Sequence, residues 1–312
     1  MAVNKGYLKI VGTGHYVPDT IITNSDMEQI VDTTDEWITS RTGIKERHVV
    51  FDETTSDLAY KATLNVLEKT GYDKHKIDLI IVATFTPDLK SPSVASLVQT
   101  KLGLNQMAIT AFDINAACTG FIYALNVAEK MLRSNAYKSA LVIGAEVISG
   151  VVDYCDRNTC VLFGDGAGAM ILEKDLKKLA IFNISTKVDN DLILYVDQYV
   201  HMDGQRVYQF ASRVIESSVR EVLAYGKIRK ADIRKVIPHQ ANIRIIQSAS
   251  KALMIPIENF FVNIHKYGNT SAASIAIAFD EMMETEVIEP GEQIVLVGFG
   301  AGLTFGACML TI

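Results

Sequence analysis

Two rhythms of apolar residues alternate along this chain. Residues 77–84 (IDLIIVAT), 139–146 (SALVIGAE) and 293–298 (QIVLVG) are short, unbroken and rich in β-branched side chains, the pattern of strands buried on both faces. Between them the spacing lengthens to three and four. In 55–70, Leu58, Ala62, Leu64, Val66 and Leu67 are apolar. In 119–133 the positions are Phe121, Ile122, Leu125, Val127 and Leu132. Both read as amphipathic helices, as do 24–31, 33–42, 94–102, 211–225, 243–253 and 272–283. Residues 7–14 read as a first strand, 108–112 as a buried strand, 236–239 as a strand end and 260–264 as another strand. Residues 159–173 (TCVLFGDGAGAMILE) read as two strands joined by a glycine turn. That run has neither the spacing of a dinucleotide fingerprint nor a terminal Lys-Ser/Thr, so it is structural rather than phosphate-binding. Strand and helix alternate, which predicts an α/β protein with its sheet covered on both sides.

The second half repeats the plan of the first. FDINAACTGFIYALNVA and FVNIHKYGNTSAASIAIAF are each strand, turn and small-residue helix, so one duplicated α/β unit is the economical reading. The boundary between halves falls at 1–172 and 173–312. In a duplicated fold the polar turns at matching strand ends can face each other.

Composition narrows the function classes. With 312 residues, 49% of them hydrophobic and 21% charged, the chain can bury a large core. The N-terminus lacks a signal-peptide pattern and no apolar run reaches bilayer length, so a soluble cytoplasmic protein without membrane contact is expected. The four cysteines, Cys118, Cys155, Cys160 and Cys308, lack metal-ligand spacing, so neither a disulfide framework nor a metal site is expected. A net charge of −6 argues against nucleic acid. Between Arg206 and Lys251, however, ten basic residues face three acidic ones. That stretch reads either as a dock for an acidic partner or as a solvated helix face.

Candidate chemistry gathers at three turns. Cys118 sits where a strand becomes a helix, and the N–H groups and dipole of a helix's first turn favour a thiolate. Ala116, Ala117 and Gly120 around it suit a sharp turn. A nucleophile and a buried small hydrophobe both fit Cys118. His239, in IPHQAN, leaves a strand beside Pro238 and can project into a cleft. Asn269 lies in the GNTS turn. Each alone is ordinary; a thiol, an imidazole and an amide at corresponding turns form a constellation. Trp37, the only tryptophan, stands among charged residues with Arg41 one helical turn away, and is a core residue or a ligand platform.

The segments DEWITSRTGIKERH (35–48), DINAACTGF (113–121), DRNTCVLFGDGAGA (156–169), IPHQANIRI (237–245), KYGNTSAAS (266–274) and GFGAG (298–302) together resemble the β-ketoacyl-acyl-carrier-protein synthase III family of thiolase-like condensing enzymes. The resemblance covers essentially the whole length. It implies a thiolase-like fold of two halves in a five-layered αβαβα arrangement, and a homodimer. It also implies a ping-pong reaction that initiates type II fatty-acid synthesis. Cys118 would take the acyl group of an acyl-CoA primer, and the acyl-cysteine would condense with malonyl-acyl-carrier protein as carbon dioxide leaves. His239 and Asn269 would bind the enolate oxygen, and the N–H groups of Cys118 and Ala301 would form the other oxyanion hole. Trp37 and Arg157 would sandwich the CoA adenine, with Thr33, Arg41, Gly204 and Asn242 on the rest of CoA, and Arg244 would dock the acidic carrier protein. CoA thus enters as substrate, with no cofactor.

Some positions depart from the family pattern. Ser91 stands where many members carry a bulky aromatic that closes the acyl pocket across the dimer, so a longer or branched primer is admissible. Residues 185–200 form a shorter segment than usual, without the glycine-rich turn. Asn158 and Gln209 replace a small and a basic residue. A related condensing enzyme of a secondary-metabolite pathway is therefore the alternative. A non-catalytic acyl-binding subunit is disfavoured by the intact trio.

Overall fold

The computed structural model describes residues 3–312. The chain opens with β1 (Val3–Tyr7), β2 (Lys9–Tyr16), β3 (Thr20–Thr23), α1 (Asn24–Met27), α2 (Asp35–Thr42) and β4 (Glu46–Val49). Helices and strands then alternate through α3 (Thr55–Thr70), β5 (Leu79–Ala83), α4 (Val94–Lys101), β6 (Thr110–Ile114), α5 (Gly120–Arg133) and β7 (Ser139–Glu146). A short α6 (Arg157–Cys160) and β8 (Gly166–Glu173) follow. The remainder comprises β9 (Leu179–Thr186), β10 (Leu194–Val196), β11 (Val200–Met202), α7 (Gly204–Gly226), β12 (Ile233–Pro238), α8 (Ile243–Leu253), α9 (Ile264–Tyr267), α10 (Ala273–Thr285), β13 (Gln293–Gly300) and β14 (Thr304–Thr311).

The apolar strands bury both faces because each faces two helix layers. In β5, Leu79, Ile81 and Ala83 point to a core built with α5 and α10, while Ile80 and Val82 pack against α3 and α4. In β13, Ile294 and Leu296 join the same central core, and Val295 and Val297 pack under α7 and α8. Helix, sheet, helix, sheet, helix is the five-layered order.

The duplication is written in strand pairing. The first sheet runs β2, β8, β7, β5, β6, with two antiparallel pairs followed by two parallel ones. The second sheet repeats that series through β9, β14, β13 and β12, and ends on a single parallel bridge between Val236 and Phe260. Residues 260–264 therefore do not form the expected strand. The Gln240 side chain takes their backbone groups instead, donating to Phe261 O (3.2 Å) and accepting from Asn263 N (3.2 Å), and Ile264 already opens α9. On the opposite edge β1 pairs with β9, so the first described residues complete the second sheet.

Other sequence expectations change as well: the helix read over 24–31 ends at Met27, and the one read over 211–225 begins at Gly204. Residues 159–173 hold one strand, not two, because Asp156 caps a helical turn by accepting from Asn158 N (3.0 Å) and Thr159 Oγ1 (2.8 Å). The strand leading to Cys118 is half-buried throughout rather than buried, since β6 is the edge of its sheet. Among the described residues no helix is long and apolar enough to cross a membrane.

Candidate active site

The chain reaches Cys118 through a tight turn. After β6, Ala117 takes a left-handed φ of 47°, and Ala117–Thr119 form one 3-10 turn before α5. A non-glycine residue in that region stores strain, which survives only where the surroundings hold it. Thr304 supplies the hold, donating to Ala116 O (2.9 Å) from the opposite half. Gly300 is required there, because a Cβ on it would stand 2.7 Å from Cys118 N.

Position alone does not ionise the thiol. Cys118 opens onto a cavity, yet its sulfur lies deep enough that burial pushes the thiol up to about 12, with the Glu146 charge adding to the rise and the Ser271 hydroxyl opposing it. The expected thiolate is therefore a thiol in the resting protein: desolvation outweighs the helix start.

His239 follows β12 and is held by its backbone N–H to Val297 O (2.8 Å). Its Nδ1 lies 2.7 Å from Ser274 Oγ, which accepts from Gln240 N at 3.4 Å. With the serine hydroxyl donating to Nδ1, the proton of a neutral imidazole is on Nε2, facing the cavity chemistry. Burial holds the ring neutral, pushing it down to about 3. Asn269 is likewise fixed, its Oδ1 accepting from Ser271 N (2.9 Å), so its amide N–H₂ remains to donate.

Cys118, His239, Asn269 and Ala301 line one cavity of about 1070 Å³. Trp37, Arg41, Gly204, Asn242 and Arg244 line it too, as do Leu192, Leu194 and Tyr195 from the short 185–200 segment. Trp37 sits over a small apolar cluster containing Ile38 and Val161. The Arg157 guanidinium rests 4.2 Å from the centre of its ring and Arg41 lies at 5.9 Å, so a base entering between Trp37 and Arg157 must displace the latter. Thr33 is buried outside the cavity wall, its hydroxyl without a partner. Ser91 is on an exposed loop and does not reach this chain's own cavity.

Comparison with known proteins places this arrangement. Residues 112–190 match the family described as 3-oxoacyl-[acyl-carrier-protein (ACP)] synthase III, and 223–312 match its C-terminal counterpart. The β-ketoacyl-[acyl-carrier-protein] synthase III of Acholeplasma laidlawii is 50% identical over 307 residues, 98% of each chain. The chain belongs to the β-ketoacyl-acyl-carrier-protein synthase III family. The crystal structure of 3-oxoacyl-[acyl-carrier-protein] synthase III from Aquifex aeolicus is 45% identical and superposes with a TM-score of 0.94, covering 98% of this chain and all of that one. The priming β-ketosynthase of the R1128 polyketide pathway is more distant, 30% identical with a TM-score of 0.90, over 100% of this chain and 98% of that one.

Within this synthase III framework, three residues escaped sequence reasoning. Ser271 lies 3.3 Å from Cys118 Sγ, Ser274 orients His239, and the fully buried Glu146 closes β7 behind them. Ser271 and Ser274 stand inside a quoted motif, but their partners are distant in sequence. The signal for Glu146 was a lone carboxylate ending an apolar strand. Away from the cavity, His15, Asp280 and Glu284 have the spacing of a metal site among the described residues. Lys69 Nζ already occupies that position, 2.7 Å from Asp280 and 2.5 Å from Glu284, so the ammonium serves as the cation.

Proposed function

We propose that this protein condenses an acyl-CoA primer with malonyl-acyl-carrier protein through an acyl-Cys118 intermediate, initiating fatty-acid synthesis. The observation that carries the reading is the single cavity wall where Cys118 stands with two neutral donors, His239 Nε2–H and the Asn269 amide, in a chain of this family.

In the first half-reaction Cys118 sulfur attacks the thioester carbonyl and CoA departs as the free thiol. The developing oxyanion lies beside the N–H groups of Cys118 and Ala301, at the turns that Gly300 allows to approach. CoA is substrate throughout and no separate cofactor is needed. In the second, malonyl thioester loses carbon dioxide and leaves an enolate. His239 and Asn269 donate to its oxygen, where fixed donors in a desolvated site stabilise charge without reorganisation. The enolate carbon attacks the acyl-cysteine carbonyl and expels Cys118 as a thiolate, which takes a proton from solvent to restore the thiol.

Trp37, Arg41, Gly204 and Asn242 on the cavity wall support a CoA path, with Arg157 stacked on Trp37 beside it. Asp191 pairs with Arg206, Glu216 with Arg220, Asp232 with Arg229, and Glu286 with Arg234 and Lys235. Among the described residues Arg213, Lys227, Arg244 and Lys251 make no ion pair, and these exposed cations are our candidate face for an acidic carrier. The open edge of β6 supports a homodimer, in which Ser91 of one copy would reach the acyl pocket of the other.

Intact mass after incubation with acyl-CoAs of increasing length tests the reading. We expect the wild type to gain one acyl group from acetyl or short branched primers and Cys118→Ala to gain none. A preference for long or aromatic primers points to the secondary-metabolite relative, and no adduct with any primer refutes an acyl-CoA-primed enzyme.

A further inference from the structure

A thioester under attack by Cys118 carries CoA on one side of its carbonyl and the acyl chain on the other. On the reading above, CoA reaches the sulfur along Trp37, Arg41, Gly204 and Asn242. A recess of about 430 Å³ beside Trp37, Asn158 and Gly204 belongs to that outer end and does not extend to Phe85 or Phe163. The acyl chain is left with the inner wall of the main cavity, where Phe85, Val151, Leu162 and Phe163 present apolar side chains. Phe85, Val151 and Phe163 pack against the buried cluster that includes Ile148, Val152 and Leu162. The wall adjoins the catalytic turn, since Asn269 N donates to Leu162 O (2.9 Å).

Within this wall the backbone brings Phe85 to the Cys118 side. Strands β5 and β6 are parallel neighbours, with Ala83 opposite Ile114, and Thr84 N donates to Ile114 O (3.1 Å). Both strands therefore leave the sheet at the same end, one into the Phe85 turn and the other into the Cys118 turn. Ser91 is on the same loop as Phe85 but outside the cavity, so Phe85 is the aromatic that this loop gives its own chain's pocket.

The turn is clamped. Fully buried at the end of β7, Glu146 accepts from Thr84 Oγ1 (3.0 Å), Phe85 N (3.1 Å), Thr86 N (3.2 Å) and Thr86 Oγ1 (2.6 Å). Thr86 Oγ1 also accepts from Val147 N (3.0 Å). Hydrogen bonds to an ionised carboxylate are stronger than neutral ones, and here they hold three consecutive residues. The backbone at residue 85 is thereby fixed, and with it the place of the ring.

We propose that Phe85 sets the upper length of the acyl primer and that Glu146 is the positioning residue that holds it there. The proposal rests on the acyl-CoA-primed reading and narrows its substrate class to short-chain acyl-CoAs. A packed apolar wall resists added methylenes, because overfilling forces its neighbours to shift. The clamp denies Phe85 the backbone movement that would relieve such a clash. A smaller side chain at 85 lengthens the pocket, and a larger one shortens it.

The test is the second-order rate of Cys118 acylation in the full-length protein, followed by quenched intact mass, with acetyl-, butyryl-, hexanoyl- and octanoyl-CoA. Burial raises Glu146 to about 7, so the assay is run at pH 8, where the carboxylate is ionised. The readout is each rate relative to acetyl, which cancels a general loss of activity or of folded protein. In the wild type this ratio should fall about tenfold or more from butyryl to octanoyl. Phe85→Ala should raise the hexanoyl and octanoyl ratios about tenfold, Phe85→Leu should raise them less, and Phe85→Trp should lower the butyryl ratio. Glu146→Gln sets amide hydrogens against the donors of the turn, and should raise the long-chain ratios with Phe85 intact. A wild type that takes octanoyl as readily as acetyl, or Phe85 variants with wild-type ratios, overturns the length limit; Glu146→Gln with wild-type ratios overturns the clamp. A wild type acylated by no acyl-CoA refutes the proposed function and takes this inference with it, whereas an acylated wild type with unmoved ratios in the variants refutes this inference alone.

Discussion

His239 is a hydrogen-bond donor because it cannot hold a charge. Its ring is buried, a Ser274 hydroxyl donating to Nδ1 leaves the ring proton on Nε2, and an imidazolium there would be desolvated without a counter-charge. Ala at either His239 or Asn269 should lower malonyl decarboxylation by about a hundred to a thousandfold while Cys118 still accepts an acyl group; carbon dioxide release and intact mass separate the two steps. The same burial makes His239 an acid-sensitive group. Below 6.5 the unfolded chain takes up a proton that the folded ring refuses until about pH 3, so its contribution to stability is complete above 6.5 and is lost as pH falls through that window. Denaturant melts of wild type and His239→Gln should diverge in their pH slopes there; parallel slopes would contradict the assignment. At this scale the trio was legible only jointly, as a thiol, an imidazole and an amide at corresponding turns, since each alone is ordinary. Ser271 and Ser274 were not: small polar residues before a helix read as turn chemistry, and their partners stand 153 and 35 positions away.

The element that carries most of the site is α10. Its preceding turn holds Asn269 and Ser271, and its first helical turn holds Ser274. It can lie across the first sheet only because Gly144 and Gly168 leave room: a Cβ on Gly144 would enter the Ala272 carbonyl, and one on Gly168 the backbone at Ala276 and Ile277. Gly168→Ala should therefore cost about 1–3 kcal/mol in calorimetry and lower condensation as well, by lifting the helix that carries the turn. A variant of unchanged stability would refute this close packing. The helices were readable from their 3.6 period, and α3, α8 and β7 end at the residues the pattern gives. Two of the errors lie where a side chain competed for backbone groups, Gln240 at 261–263 and Asp156 at 157–160. Hydropathy carries no record of such competition.

For the whole molecule, the basic stretch of 206–251 narrows once folded, because half of its ten cations are paired. The unpaired Arg244 stands at the cavity wall. Arg244→Glu should raise KM for the malonyl carrier about tenfold at low ionic strength, and the effect should shrink as salt screens it over a Debye length of about 8–10 Å. An effect independent of salt would indicate lost packing rather than lost attraction.

The alternation of apolar strands and helices, and its recurrence in both halves, were determined by the sequence alone, because side-chain periodicity is a local property. The identities of Cys118, His239 and Asn269 were also in the sequence. Only the tertiary structure decided that their three turns meet on one cavity, that β1 joins the second sheet and that Ser91 lies away from its own chain's pocket. It also decided the direction in which each group shifts: burial raises Cys118 and Glu146 and lowers His239. The physical reason is that desolvation depends on everything packed around a group, and residues far apart in the chain supply those surroundings.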